Sequence, residues 1–213
     1  MKIKNKIFWC STCLNTSTRP RITFDINGSC NACRWSKEKK KINWSKRQKI
    51  LKKIFKNGKD NTYDCIVPVS GGKDGSYVSY ILKKKFKINP LTITVRPELE
   101  TDIGNKNLKN FINSGYDHIH ITPNKKVMRE LNKFGFKFKG FPYYGWLIAI
   151  HTTVLNIATS MNINLIIYGE DGEVEYGGSD HTKNKPFYDT KYQKDIYLED
   201  GYDKIIKKIK AKN

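Results

Sequence analysis

Tyr63-Asp64-Cys65-Ile66-Val67-Pro68-Val69-Ser70-Gly71-Gly72-Lys73-Asp74-Gly75-Ser76 runs an apolar stretch into a glycine turn, and Tyr77, Val78, Ile81, Leu82 and Phe86 follow on one helical face. Strand, glycine turn and helix in that order form the first half of a nucleotide-binding βαβ unit. Pro68 lacks a ladder donor, so the strand is expected to be leaving its sheet there. The glycines let backbone N–H groups converge on an anion, the helix N-terminus adds positive potential, and Lys73 adds a point charge. The spacing excludes a Walker A loop and the Gly-x-Gly-x-x-Gly dinucleotide turn. A turn that merely reverses the chain is the plain alternative, but turn chemistry alone does not call for Ser, Lys and Asp in this order.

Upstream, Ile50, Leu51, Ile54 and Phe55 fall at helical spacing, and Asn57-Gly58 should end that helix. Downstream, strands are expected at Leu91 to Val95, Ile119 to Thr122 and Leu165 to Tyr168. Helices between them carry Leu108, Phe111 and Ile112, then Val127, Met128, Leu131 and Phe134, then Leu147, Ile150, Val154 and Ala158. Alternating strands and helices predict an α/β fold with a doubly wound, mainly parallel sheet whose ligands bind at the strands' carboxyl ends. The tail Asp203 to Lys210 is expected to form a short amphipathic helix.

Four of the five cysteines form two pairs, Cys10-x-x-Cys13 and Cys30-x-x-Cys33, sixteen residues apart. Two such knuckles offer four thiolates to a tetrahedral Zn²⁺, with no open position for chemistry. Two disulfides or free thiols are the alternatives; a module at 8–35 so poor in apolar residues would have little else to fold it. The fifth, Cys65, reads as a small core residue in mid-strand, with a catalytic thiol as the alternative. The expected division is a zinc-ribbon-like four-cysteine module at 1–43 and a phosphate-binding α/β domain at 44–213.

Net charge of +20 over 213 residues points toward nucleic acid, an anionic surface or a polyphosphate ligand. Only six of the 40 basic residues are arginine, and the lysines come with Asn and Ile along the whole chain. That diffuse pattern fits a compositional bias better than a nucleic-acid surface. With no signal segment and no apolar run of membrane-spanning length, the chain is expected in the cytoplasm without a membrane partner.

Gly169-Glu170-Asp171-Gly172-Glu173-Val174-Glu175-Tyr176-Gly177-Gly178 directly follows the fourth expected strand. These carboxylates are therefore expected beside the phosphate loop, facing Mg²⁺ or another part of the substrate; a solvated acidic turn is the alternative. Trp146 could stack on a sugar or base, and His151 could face substrate, although core packing accounts for either. His118 and His120 read as structural. Val95, Arg96 and Glu98 end the second strand at the binding edge, as nucleotide contacts or as ordinary loop residues.

Ser70 to Ser76 resembles the Ser-Gly-Gly-x-Asp-Ser signature of PP-loop ATP pyrophosphatases, with Gly75 where the signature has a hydroxyl residue. The acidic block, Tyr63 to Val69, Thr122-Pro123-Asn124 and the cysteine pairs together resemble the N-acetyl sugar amidotransferases of that superfamily. The resemblance runs from about Cys10 to Gly178; members are longer, so a C-terminal part is expected to be missing. It implies adenylation of the N-acetyl oxygen of a nucleotide-linked sugar, release of pyrophosphate and AMP, and an acetamidino product for lipopolysaccharide or other surface glycans. Ser70, Gly71, Gly72, Lys73, Asp74, Gly75, Ser76, Val95, Arg96 and Gly169 would contact ATP, with Lys73, Asp74 and Glu170 as the catalytic set. Asp74 and Glu170 would hold Mg²⁺, and Trp146, His151, Glu173, Glu175 and Tyr176 would meet the sugar. Since Lys2 follows Met1 and no cysteine sits in a nucleophile elbow, a separate glutaminase subunit is expected to supply ammonia. A tRNA-thiolating PP-loop enzyme is the runner-up, and a zinc-containing nucleic-acid adaptor the third reading.

Overall fold

The structure, a computed structural model, describes residues 6–56, 62–170, 172–180, 183–185, 187, 189–198 and 203–210. The expected helix end at Asn57-Gly58, Asp171 and the first residues lie outside this set. The chain divides into two compact units, Met1–Lys49 with Asp171–Tyr188, and Ile50–Glu170 with Asp189–Asn213. This departs from the expected break at 43/44: the first unit runs further, and it takes in most of the acidic block.

The first unit contains α1 (Asn31–Lys39), the start of α2 (Trp44–Lys56) and α7 (Gly172–Glu175). Before α1 the backbone is held by two isolated antiparallel bridges, Trp9 to Thr16 and Phe24 to Cys30. Such sparse pairing suits a stretch without periodicity.

The second unit is mixed α/β. Its elements are the rest of α2, β1 (Cys65–Pro68), α3 (Lys73–Ile81), β2 (Pro90–Val95), α4 (Asp102–Asn113), β3 (His118–Ile121), α5 (Lys125–Lys139), α6 (Tyr144–Ser160), α8 (Thr190–Tyr192) and α9 (Asp203–Lys210). A π-helical turn, Leu82–Phe86, continues α3. The sheet has the order β1-β2-β3, all parallel, with Cys65 opposite Pro90 and Thr92 opposite His118. Every residue of β2 is buried, as a central parallel strand requires.

Alternation along β1 divides the core. Cys65, Val67 and Val69 pack with Phe55, Leu82, Leu108 and Phe111 from α2, the π turn and α4. Ile66 turns to the other side, with Leu91, Ile93, Val154 and Ala158. Helices therefore cover both faces. A third cluster joins Leu131, Tyr144, Ile148, Leu198 and Ile205, docking the expected amphipathic tail helix α9.

The fourth expected strand, Leu165 to Tyr168, is reduced to one parallel bridge between Ile66 and Ile166. Ile66 N–H donates to Leu165 O and Ile66 O accepts from Ile167 N–H, both at 2.9 Å, so this segment flanks β1 on the side away from β2. Pro68, two residues on, would offer the next donor in that direction and has none, which ends the ladder. β1 does close at Pro68, as expected.

Candidate functional site

The loop after β1 is tied to the sheet at both backbone groups of Val69. Its N–H donates to Ile93 O at 2.9 Å, and its carbonyl accepts from the Thr94 hydroxyl at 2.6 Å. Three glycines then allow contacts that no side chain would permit. Gly71 has φ +79°, and a Cβ there would lie 2.8 Å from the Leu108 nitrogen of α4. At Gly75 it would lie 2.7 Å from Pro68 O, and at Gly169 2.9 Å from Asp74 C and Gly75 N. Gly169 is thus packed on the first turn of α3.

These contacts leave Ser70, Gly72, Lys73 and Asp74 on the exposed side. α3 starts at Lys73 with Gly72 as its N-cap, and no side chain caps it. Ser70 Oγ accepts from Gly72 N–H at 3.4 Å, and Ser76 Oγ donates to Gly72 O at 2.7 Å. Lys73 Nζ donates to Asp74 Oδ1 at 2.6 Å, with side chains 88% and 49% exposed. Gly75, where the signature carries a hydroxyl, faces β1. Packing excludes a side chain at this position, and the Ser79 hydroxyl donates to Gly75 O at 2.9 Å.

At the same edge, Val95 O accepts from Trp146 Nε1 at 3.3 Å, which fixes the indole against the end of β2. Arg96 pairs with Glu100 at 2.5 Å, and Glu98 accepts from Asn132 Nδ2. Glu170 is exposed beside Gly169. Loop, Val95, Arg96, Trp146, Gly169 and Glu170 therefore gather where the parallel strands end.

Other expected site residues lie elsewhere. His151 is buried in α6, its Nδ1 3.1 Å from Gln193 Nε2 and its ring 5.4 Å from that of Tyr197; burial lowers its pKa. It is a packed core histidine. Cys65 is fully buried, and burial followed by the charge of Asp64 pushes its thiol up to about 12, which leaves it inert.

The acidic block makes its contacts inside the first unit. Arg21 donates to both oxygens of Glu173 at 3.0 and 3.1 Å, and Ser179 N–H donates to Glu173 Oε2 at 2.9 Å. Lys39 donates to Glu175 at 2.5 Å, and buried Asn31 donates to Gly178 O at 2.7 Å. Glu173 and Glu175 thus each pair with a basic residue of the first unit. Burial raises the pKa of Glu173, but Arg21 and the Ser179 N–H outweigh it and hold the carboxyl below its ordinary value. Tyr176 is exposed in the same unit. Arg21 and Asn31 carried no sequence signal, because their partners lie about 150 positions away.

The four cysteines form the second site. All four Sγ atoms lie within 4.8 Å of one another, with 3.9 Å between Cys10 and Cys33 and 3.7 Å between Cys13 and Cys30. Four thiolates around Zn²⁺ stand about 3.8 Å apart, whereas a disulfide needs about 2.05 Å. The donor set fits a metal ion such as zinc. Burial raises the Cys10 thiol, but backbone N–H groups of Thr12, Cys30 and Cys13 bring it to about 6, while burial and neighbouring thiols push Cys33 up. Four sulfurs this close cannot all ionise without a cation, and a metal supplies it.

No family model matches the chain. Over 89 residues, 40% of this chain, it is 37% identical to an uncharacterised protein of Methanocaldococcus jannaschii, of whose length the match spans only 32%. Among solved structures, a predicted subunit of a tRNA methyltransferase from Methanocaldococcus jannaschii aligns over 63% of each chain at 22% identity, with a TM-score of 0.37.

Proposed function

We propose that this protein is an AMP-forming enzyme that binds ATP at Ser70 to Ser76 and adenylates a carbonyl oxygen. The observation that carries the reading is the packing of Gly71, Gly75 and Gly169. It turns the first N–H groups of α3, Ser70 and Lys73 outward at the carboxyl ends of the strands. Ser70, Gly72 and Lys73 would hold the β- and γ-phosphates as the departing pyrophosphate, while the Ser76 hydroxyl donates to Gly72 O and braces the turn. Asp74 and Glu170, both exposed at this edge, would hold Mg²⁺, which supplies charge neutralisation at the phosphates.

The acceptor we favour is the N-acetyl group of a nucleotide-linked sugar. Its oxygen attacks the α-phosphorus and the α–β anhydride breaks. Ammonia from a glutaminase partner then adds at the activated carbon, and AMP leaves to give an acetamidine. Trp146, fixed against Val95, is suited to stack on a sugar or base at this edge.

A second acceptor, a carbonyl of a tRNA base, is favoured by the +20 charge and by the engagement of Glu173 and Glu175 within the first unit. ATP–pyrophosphate exchange and AMP release, measured with ammonium and either nucleotide-linked N-acetyl sugars or tRNA, decide between them. Sugar-dependent AMP supports the first acceptor and tRNA-dependent AMP the second. Exchange untouched by Lys73→Ala defeats the adenylation reading itself.

A further inference from the structure

The basic residues are spread along the chain, but folding concentrates some of them. The π turn Leu82–Phe86 sits between two helix ends of the second unit. Phe86 meets Phe55 of α2 edge-on at 5.2 Å between ring centres. Lys83 donates to Gly115 O just beyond α4, with its ammonium 5.0 Å from the Tyr116 ring centre. The ends of α2, α3 and α4 thus form one surface.

On it Lys52, Lys53, Lys56, Lys84, Lys85 and Lys87 are all exposed, and among the described residues none of the six is ion-paired. The carboxylates described at this end of the sheet are outnumbered: Asp64 accepts from Asn89 N–H at 2.6 Å and Asp117 from the Tyr63 hydroxyl at 3.1 Å, and neither is ion-paired with these lysines. Tyr77, Tyr80 and Lys84, spaced three and four apart, form one line along α3 into the turn. The two tyrosines are 64% and 51% exposed. Tyr80 lies near Tyr116, whose phenol is pushed up by burial and then by Tyr80.

Ammonium groups in excess over nearby carboxylates repel one another, and a polyanion relieves that repulsion. The open rings narrow the choice. A duplex keeps its bases stacked on each other and a lipid surface has none, whereas a single strand offers bases free to stack on tyrosine. We propose that the face formed by α2, α3, the π turn and α4 binds single-stranded nucleic acid, with Tyr77 and Tyr80 stacking on bases and the lysines contacting phosphates. This surface begins at Tyr77, directly after Ser76 of the loop, and runs along α3 to the π turn; it does not depend on which acceptor the loop serves.

The test is fluorescence anisotropy with the intact chain and labelled oligouridylate or oligothymidylate, over a potassium chloride series. Binding is expected with a log–log salt slope of roughly −3 or steeper. Tyr77→Ala with Tyr80→Ala should weaken it about tenfold or more at unchanged slope. Lys84→Gln, Lys85→Gln and Lys87→Gln together should reduce the slope by roughly 2. The matched triple Lys125→Gln, Lys126→Gln and Lys133→Gln on α5 should change affinity less than about threefold. Circular dichroism identifies variants that have lost the fold, and ATP–pyrophosphate exchange reports on the loop independently. Equal loss from the two lysine triples, no effect of the folded tyrosine pair, or equal affinity for duplex or phosphatidylserine vesicles overturns the proposal. Preference for the uridylate or the thymidylate strand tells RNA from DNA.

Discussion

Replacing Gly75 with alanine tests the packing that shapes the phosphate loop. A Cβ there would lie 2.7 Å from Pro68 O and 3.2 Å from Val69 Cα, both backbone atoms at the end of β1. Ordinary contact needs about 3.4 Å or more, so α3 or the end of β1 must shift by roughly half an ångström or more. Alanine also improves helix propensity over glycine, by about 1 kcal/mol. Overpacking costs typically 1–3 kcal/mol, toward the upper end where backbone must move, so the net loss is expected at about 1–2 kcal/mol. In a chain of 213 residues that is roughly 2–8 °C in Tm. Gly72 provides the control: its φ is −76° and its Cβ would meet only Ser70 Oγ at 3.2 Å, a side chain that can rotate away. Gly72→Ala should therefore shift Tm by less than about 2 °C. Urea and thermal melts of the two variants measure the difference. If Gly75→Ala melts at or above the parent temperature, the close approach of α3 to β1 is not what this structure says it is. Gly75→Ser carries the same Cβ and should likewise destabilise the loop rather than restore a hydroxyl contact.

Purified chain should hold about one zinc per molecule by mass spectrometry of metals, and Cys30→Ser should lose it and unfold the first unit, seen as protease cleavage before residue 50. Arg21→Ala, which leaves Glu173 without its bidentate partner, should cost that unit about 1 kcal/mol by hydrogen exchange, discounted because Arg21 is 40% exposed. Because the folded pKa of Glu173 lies below its unfolded value, this contribution is present above the ordinary carboxyl range and is lost as pH falls through the folded value. Burial, then His120, lowers His118 to about 4, and burial lowers His151; both histidines are neutral when folded, so stability should be full above pH 6.5 and fall as pH drops toward 4. His118 alone sets a ceiling of ~3 kcal/mol, reduced to ~2 because the ring is only partly buried, and His118→Asn should flatten that limb of a melting profile against pH.

The sequence by itself determined what local chemistry can specify. Periodicity marked all three sheet strands and the helices between them, because strand and helix place side chains at fixed intervals. The glycine turn identified the loop, and the Cys-x-x-Cys spacing identified the metal site before any geometry was known. It also read Cys65 as a core residue in mid-strand, and His118 and His120 as structural because they alternate with Ile119 and Ile121 on a short strand.

Tertiary structure decided whatever depends on partners far along the chain. Leu165 to Tyr168 reads as a strand, but its ladder needs a donor from Pro68, and a missing donor on another segment is invisible to a pattern in this one. Glu173 and Glu175 looked like substrate groups because they follow the strand that leads to the site. Arg21 and Lys39, more than 130 residues earlier, pair with them inside the first unit, which no local pattern shows. Gly75 looked like a defect in a signature, and only the approach of Pro68 O explains why no side chain stands there. The lysines, uniform in one dimension, become a patch because the π turn brings the ends of α2 and α4 together. Charge is additive in space, and the chain alone does not say which residues share it.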